Sequence, residues 1–274
     1  MKKIIAPVDF SVISENAALF AANLAAFYGA DLWLYHAYEF NIPGSGIGYP
    51  FISPNEMQDA AELELKDLKQ KLLSALRVKI NIEIKADDSP LTVGLADLCE
   101  TVKPDLVVMG LSGKTALSRL VVGSNTIRTI QQLTYPVLVI PAKAVFTPVR
   151  RIGFACDYKK IIETTPLEPI KKIIHDFNAE LYVLNIIYNG KGDNDIAQDD
   201  LYITESLKDF NPKYQTVLSD DTVSGINWFA EQQKIDWMVL IPRKHNLTEK
   251  LFSRSTTKTL IYQTHMPVLC LQEP

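Results

Sequence analysis

Short apolar runs alternate with longer amphipathic stretches along the first half of the chain, a rhythm that predicts βα units building a parallel sheet. Lys3 to Val8 (KIIAPV) reads as a buried strand, and an alanine-rich stretch from about Ser14 to Tyr28 reads as a helix that Gly29 stops. Leu32 to Ala37 gives a second strand. The Gly/Pro-rich segment after it, which runs to Pro54, is long for a βα connection and therefore a candidate cover for a site. From Asn55 to Leu76, the residues Ala61, Leu65, Leu68, Leu72 and Leu76 recur at helical steps and predict the longest helix of the chain. Val78 to Lys85 alternates like a strand near a sheet edge, and Asp88 or Ser89 is placed to cap a helix starting at Pro90. Asp105 to Met109 and Val137 to Ile140 complete the strands, and Ile127 to Leu133 reads as an amphipathic helix between them.

The second half restarts the same program. Ile4 to Asp9 corresponds to Ile152 to Asp157, Ala30 to Trp33 to Ala179 to Tyr182, and Gly94 to Gly225. Asp105 to Val108 corresponds to Asp236 to Val239, and Pro136 to Leu138 to Pro267 to Leu269. One alignment satisfies all of these elements, so the chain reads as a tandem repeat. The proline-bearing stretch Ala142 to Pro148 is the natural linker, which gives domains at 1–146 and 147–274.

Composition adds exclusions. With 274 residues, 47% hydrophobic and 22% charged, the chain can bury sizeable cores and has little room for long disorder. The net charge of -4, with both signs interspersed, argues against a nucleic-acid surface built on phosphate neutralisation. Cys99, Cys156 and Cys270 are too scattered for a zinc site and read as reduced, buried thiols. The start MKKIIAPVDFS lacks a signal-peptide core, and no segment approaches the roughly 20 apolar residues of a membrane span, so a cytoplasmic protein is expected.

In an open parallel sheet of order 3-2-1-4-5 a ligand lies beyond the carboxyl ends of strands one and four, where the winding reverses. Pro7, Val8 and Asp9 follow one of these strands; Met109, Gly110, Ser112 and Gly113 follow the other. The glycines let backbone N–H groups approach an anion. Gly123, Ser124, Asn125 and Thr126 then open a helix, whose free amides and dipole favour a phosphate. Each residue also has a structural reading: turn glycines, a cap for the Phe10–Ser11 turn at Asp9, helix caps at Ser124 and Thr126, and core at Met109. Gly113-Lys114-Thr115 imitates the tail of a Walker A loop, but Val108 stands where its first glycine is needed. His36 ends the second strand with no nucleophile or carboxylate arranged around it, so a packed or surface role is expected. No carboxylate pair or metal-ligand cluster is visible, and no catalytic residue is assigned.

The pattern Gly110-x2-Gly113-x9-Gly123-Ser124, together with Asp9, resembles the nucleotide-binding signature of the universal stress protein family, and the resemblance covers both halves. It implies two flavodoxin-like or Rossmann-like domains of the adenine nucleotide alpha hydrolase-like type, each a five-stranded parallel sheet of order 3-2-1-4-5 with helices on both faces. It implies ATP, or a related adenine nucleotide, with adenine near Asp9 and Ala37 and phosphates at Gly110, Gly113, Gly123, Ser124, Asn125 and Thr126. Any Mg²⁺ would arrive with the phosphates. It also implies pairing of the fifth strands, Pro136 to Ile140 with Pro267 to Leu271, as an internal pseudo-dimer that can associate further into a homodimer.

In the second copy Ile241, Lys244 and Arg254 replace Gly110, Gly113 and Gly123, while Asp157 and Ser255 match Asp9 and Ser124, so no nucleotide is expected there. The basic residues Arg243, Lys244, His245, Lys250 and Arg254 read as a solvated face, with an anion or an acidic partner as the rival reading. The reading that follows is a non-enzymatic, nucleotide-responsive stress protein that an unidentified protein partner reads. Its rivals are a slow ATP-hydrolysing enzyme and a binding protein for a non-nucleotide metabolite or lipid.

Overall fold

The structure, a computed structural model, describes residues 1–39, 53–111, 124–158, 161–187, 197–242 and 254–274. It divides into two compact units, Met1–Tyr135 and Pro136–Pro274.

In unit 1 the strands β1 (Lys3–Pro7), β2 (Asp31–Tyr38), β3 (Ile82–Asp88) and β4 (Leu106–Gly110) lie parallel in the order β3-β2-β1-β4. The helices α1 (Val12–Tyr28), α2 (Pro54–Ala75), α3 (Leu91–Val102) and α4 (Ser124–Gln132) make the crossovers. The central strands are buried by their apolar residues, Ile4, Ile5, Leu32, Leu34, Leu106 and Val107 being fully covered, while β3 (IEIKADD) buries only Ile82 and Ala86. Of α2, only Ala61, Leu65, Leu68 and Leu72 are buried; Leu76, the last residue of the predicted face, is the extended cap that ends the helix and is half-buried. A reciprocal cap between Ser53 and Glu56, with Pro54 in the first turn, starts that helix.

Unit 2 opens with β5 (Val137–Ile140) and then repeats the plan. Its strands are β6 (Arg151–Ala155), β7 (Glu180–Ile187), β8 (Lys213–Leu218), β9 (Trp237–Leu240) and β10 (Val268–Cys270). They run parallel as β8-β7-β6-β9-β10, and β5 pairs antiparallel with β10, Val139 opposite Val268. The helices are α5 (Ile161–Thr164), α6 (Leu167–Phe177), α7 (Ala197–Leu207), α8 (Thr222–Gln233) and α9 (Arg254–Gln263). The β5–β10 ladder is why β5 falls in unit 2, whereas the sequence repeat runs on to the linker at 142–148.

The repeat extends to single hydrogen bonds. Asp105 Oδ2 accepts from the amides of Lys2 and Lys3 at 2.6 and 3.1 Å, and Asp236 Oδ2 accepts from those of Arg150 and Arg151 at 2.7 and 2.9 Å. Helix α3 ends on left-handed Lys103 and α8 on left-handed Lys234; α1 ends on Gly29 and α6 on Asn178.

Two local expectations differ from the structure. Strand β3 begins at Ile82, not Val78, and runs to Asp88, because its register follows β2 from Leu32 opposite Ile82 to Tyr38 opposite Asp88. Neither Asp88 nor Ser89 caps α3. Pro90 sits at the cap without a side-chain bond, Asp88 ends the strand, and the Ser89 hydroxyl lies against that of Tyr35 and donates to the Asp87 carboxylate instead.

Candidate functional site

Strands β1 and β4 are neighbours in unit 1, Ile4 opposite Leu106 and Ile5 opposite Val107, so their carboxyl ends open beside each other at the switch point. A cleft of about 90 Å³ lies there. Pro7, Val8 and Asp9 enter it from the end of β1, and Met109 and Gly110 from the end of β4. Ala37 reaches it from β2, and Asn125 and Thr126 from the first turn of α4. Every predicted residue with a described side chain, together with Gly110, therefore lines one cleft. Ser112, Gly113 and Gly123 lie outside the described residues, as do the Ser124 side chain and the segment 40–52.

The turn after β1 is built around Asp9. Its Oδ1 accepts from the amide and the hydroxyl of Ser11, at 3.1 and 2.5 Å, and its own amide donates to Ser14 Oγ at 3.2 Å. Ser11, not Asp9, caps α1, accepting from the Ser14 amide at 3.2 Å. Burial alone would raise the Asp9 carboxyl, but the bonds from Ser11 and Ser14 outweigh it and hold it below the usual carboxylate range. Both Ser11 bonds end on Oδ1. Phe10 makes the bend in the left-handed region, at φ 58°.

Gly110 is required by a close approach. A Cβ there would lie 2.8 Å from the Ile13 carbonyl oxygen, so the first turn of α1 crosses β4 where only glycine leaves room. Thr126 is 1% exposed, and its hydroxyl donates to the Gly110 carbonyl at 3.0 Å, tying the start of α4 to the end of β4. Asn125 is exposed. His36 is held by Nδ1 donating to the Val8 carbonyl at 2.8 Å and by the Phe10 ring, with centroids 4.5 Å apart. It is a packed histidine that braces the turn.

Ser14 and Leu91 also line the cleft, and the sequence reading missed both. Ser14 was legible only as the start of a helix. Leu91 follows Pro90 with no motif attached, and only the folding of α3 over the sheet brings it to Ala37.

The corresponding place in unit 2 is nearly closed, with a volume of about 10 Å³ among Phe154, Ala155, Cys156, Asp157, Thr164, Thr165 and Ile241. Ile241, which replaces Gly110, is buried there, and so is Asp157, whereas Asp9 is exposed. Tyr158 repeats the left-handed bend of Phe10 at φ 55°. The basic run at 243–250, and with it Lys244 and the neighbouring loop, lies outside the described residues, as do the side chains of Arg254 and Ser255.

Among the described residues, no group of three or more His, Cys, Asp or Glu is placed to hold a metal, and no helix is long and apolar enough to cross a membrane. The three cysteines are buried and form no disulfide.

Known proteins agree with this architecture. Residues 1–141 match the model of the universal stress protein family. A universal stress protein of Methanocaldococcus jannaschii is 33% identical over 143 residues, 51% of this chain and 81% of that protein. The crystal structure of a universal stress protein from Archaeoglobus fulgidus superposes with a TM-score of 0.72, covering 98% of both chains at 16% identity. A putative universal stress protein from Pseudomonas aeruginosa covers all of this chain (100%) and 94% of its own, with a TM-score of 0.64 at 12% identity. With half of its length matched by the family model and both units built on the same doubly wound plan, the chain belongs to the universal stress protein family.

Proposed function

We propose that the cleft of unit 1 binds an adenine nucleotide, ATP or a close relative, and that the protein is a nucleotide-responsive regulator of a stress response. The observation that carries this reading is the convergence of the described sequence-predicted residues, Pro7 to Asp9, Ala37, Met109, Gly110, Asn125 and Thr126, on one cleft at the switch point. The apolar walls from Val8, Ala37, Leu91 and Met109 suit a purine face, and the Asp9 carboxylate supplies an acceptor for an amino or ribose donor. Phosphates would lie toward the amino end of α4, whose free amides and dipole favour anions, within the loop that carries Gly113, Gly123 and Ser124. Magnesium would come with those phosphates.

The role is binding rather than turnover. Asp9 is committed to Ser11 through one oxygen and His36 to the Val8 carbonyl, which leaves them to hold a turn. A nucleotide bound this way regulates by favouring one conformation or assembly, which a protein partner in the cytoplasm then reads. The antiparallel β5–β10 ladder supports a pairing of the fifth strands of repeats 1–146 and 147–274 as an internal pseudo-dimer, open to further homodimerisation.

Calorimetric titration of the full chain with Mg-ATP tests the reading. One saturable site per chain is expected, lost in Gly113→Val/Gly123→Val while the circular dichroism spectrum stays folded. A folded wild type that takes up no adenine nucleotide overturns it.

A further inference from the structure

A larger cleft, of about 330 Å³, lies in unit 2 at the amino ends of β9 and β10, the edge of the sheet opposite to that of the switch point. It opens where α8 and α9, packed on each other, both finish. Its apolar floor is Ala230, Ile235 and Met266. Around the rim stand Asn227, Glu231, Lys234, Gln263 and His265. None of these five side chains is hydrogen-bonded or ion-paired to a described residue. Carboxylate, ammonium, imidazole and two amides thus meet at one apolar hollow, whose volume is at the lower end of the range for small-molecule clefts.

Unit 1 shows what fits the equivalent place. Asp105 matches Asp236 and Pro136 matches Pro267, so Glu100 corresponds to Glu231, Cys99 to Ala230 and Tyr135 to Met266. In unit 1 the half-buried Tyr135 stands at the position of Met266; burial first, then the nearby charge of Glu100, hold its hydroxyl above its ordinary range. In unit 2 the aromatic residue is replaced by the thinner, flexible Met266, while the carboxylate is kept at Glu231. Unit 2 thus keeps the carboxylate and lacks the phenol ring.

We propose that this cleft of unit 2 binds a small aromatic carboxylate bearing a hydroxyl group. The ring takes the place of the missing tyrosine on Ala230, Ile235 and the Met266 thioether, a sulfur that favours aromatic contact. Its hydroxyl donates to Glu231, and its carboxylate meets Lys234 and His265. The amides of Asn227 and Gln263 serve either end.

Ligand-observed NMR and calorimetry of the full chain with 4-hydroxyphenylacetate test the site, with phenylacetate as comparison. Saturable binding is expected, about tenfold weaker for phenylacetate because the Glu231 acceptor is then left without its donor. Met266→Tyr restores the side chain present in unit 1 and should abolish binding with the fold intact, while Glu231→Gln should remove most of the preference for the hydroxyl. The proposal is overturned if the folded wild type does not bind the probe, if Met266→Tyr leaves binding unchanged, or if phenylacetate binds equally well. These outcomes are independent of ATP binding in unit 1, which the same samples report.

Discussion

At the end of β1 the backbone turns through Phe10 at φ 58°, and at the end of β6 it turns through Tyr158 at 55°, yet the cleft beside the first is about 90 Å³ and that beside the second about 10 Å³. The strained bend is common to both units, so it belongs to the fold and is not a mark of the open site. The difference lies in what stands at the end of the neighbouring strand. Gly110 leaves room that the first turn of α1 and the cleft share, whereas the Ile241 side chain fills the corresponding space. The helix that follows is also unlike: α1 is continuous over 17 residues, while its counterpart is broken into α5 and α6, bringing Thr164 and Thr165 against Asp157. A repeat can therefore keep its hydrogen-bonded frame and lose its cleft through a few side chains.

The largest difference between the units is expected at the matched helix glycines. A Cβ on Gly94 would fall 2.1 Å from both the Tyr35 hydroxyl and the Ser89 Oγ, while one on Gly225 meets nothing closer than Ser219 Cβ at 3.0 Å. Gly94→Ala should destabilise unit 1 by about 3 kcal/mol through overpacking of buried Tyr35. Gly225→Ala should be nearly neutral, because a helical gain of about 1 kcal/mol offsets modest crowding. Amide exchange in β1 and β6 would report each unit separately; equal losses would show that the two positions are not distinguished by packing.

Exchanging the strand-end residues addresses the clefts themselves. Gly110→Ile should abolish nucleotide binding and cost about 2 kcal/mol through contact with the Ile13 carbonyl. Ile241→Gly should not create a nucleotide site, since Lys244 and Arg254 still replace the loop glycines. Calorimetry with Mg-ATP decides both, and a second binding event in Ile241→Gly would show that the isoleucine alone closes unit 2.

Smaller effects sharpen the likeness. Asp105→Ala and Asp236→Ala each remove a carboxylate that accepts from two backbone amides. Each should cost about 1 kcal/mol, and urea melts monitored at each unit should give matching losses. Last, the Asp9 carboxyl is lowered on folding, so its contribution is present above its unfolded value of 3.8 and fades as the pH falls through the lower folded value. Asp9→Asn should be slightly less stable than wild type at neutral pH and equal to it in strong acid. A difference that persists below that range would assign the effect to packing of the turn.

Much of the frame was legible because it is periodic. The apolar runs at Ile4, Leu32 and Leu106 had to be buried strands, and the spacing of Leu65, Leu68 and Leu72 had to be a helical face. The start of β3 was misplaced because Val78 to Asn81 alternates as well as the true strand does; only pairing with β2 chooses the register. Asp88 and Ser89 carry capping chemistry, but the strand claims one and the Tyr35–Asp87 cluster the other.

Strand and helix periods are local properties of a chain, so the amino-acid sequence already carried the alternation of strands and helices in each half and the correspondence of their segments, while the sheet order came from the family resemblance. Packing alone decided that Ser14 and Leu91 share the cleft, that Thr126 is spent on the Gly110 carbonyl, that Asp157 is buried where Asp9 is open, and that a hollow opens beside Met266 in unit 2. Those facts depend on which side chains meet across elements far apart in sequence, and on volumes left between them, which no period along the chain encodes.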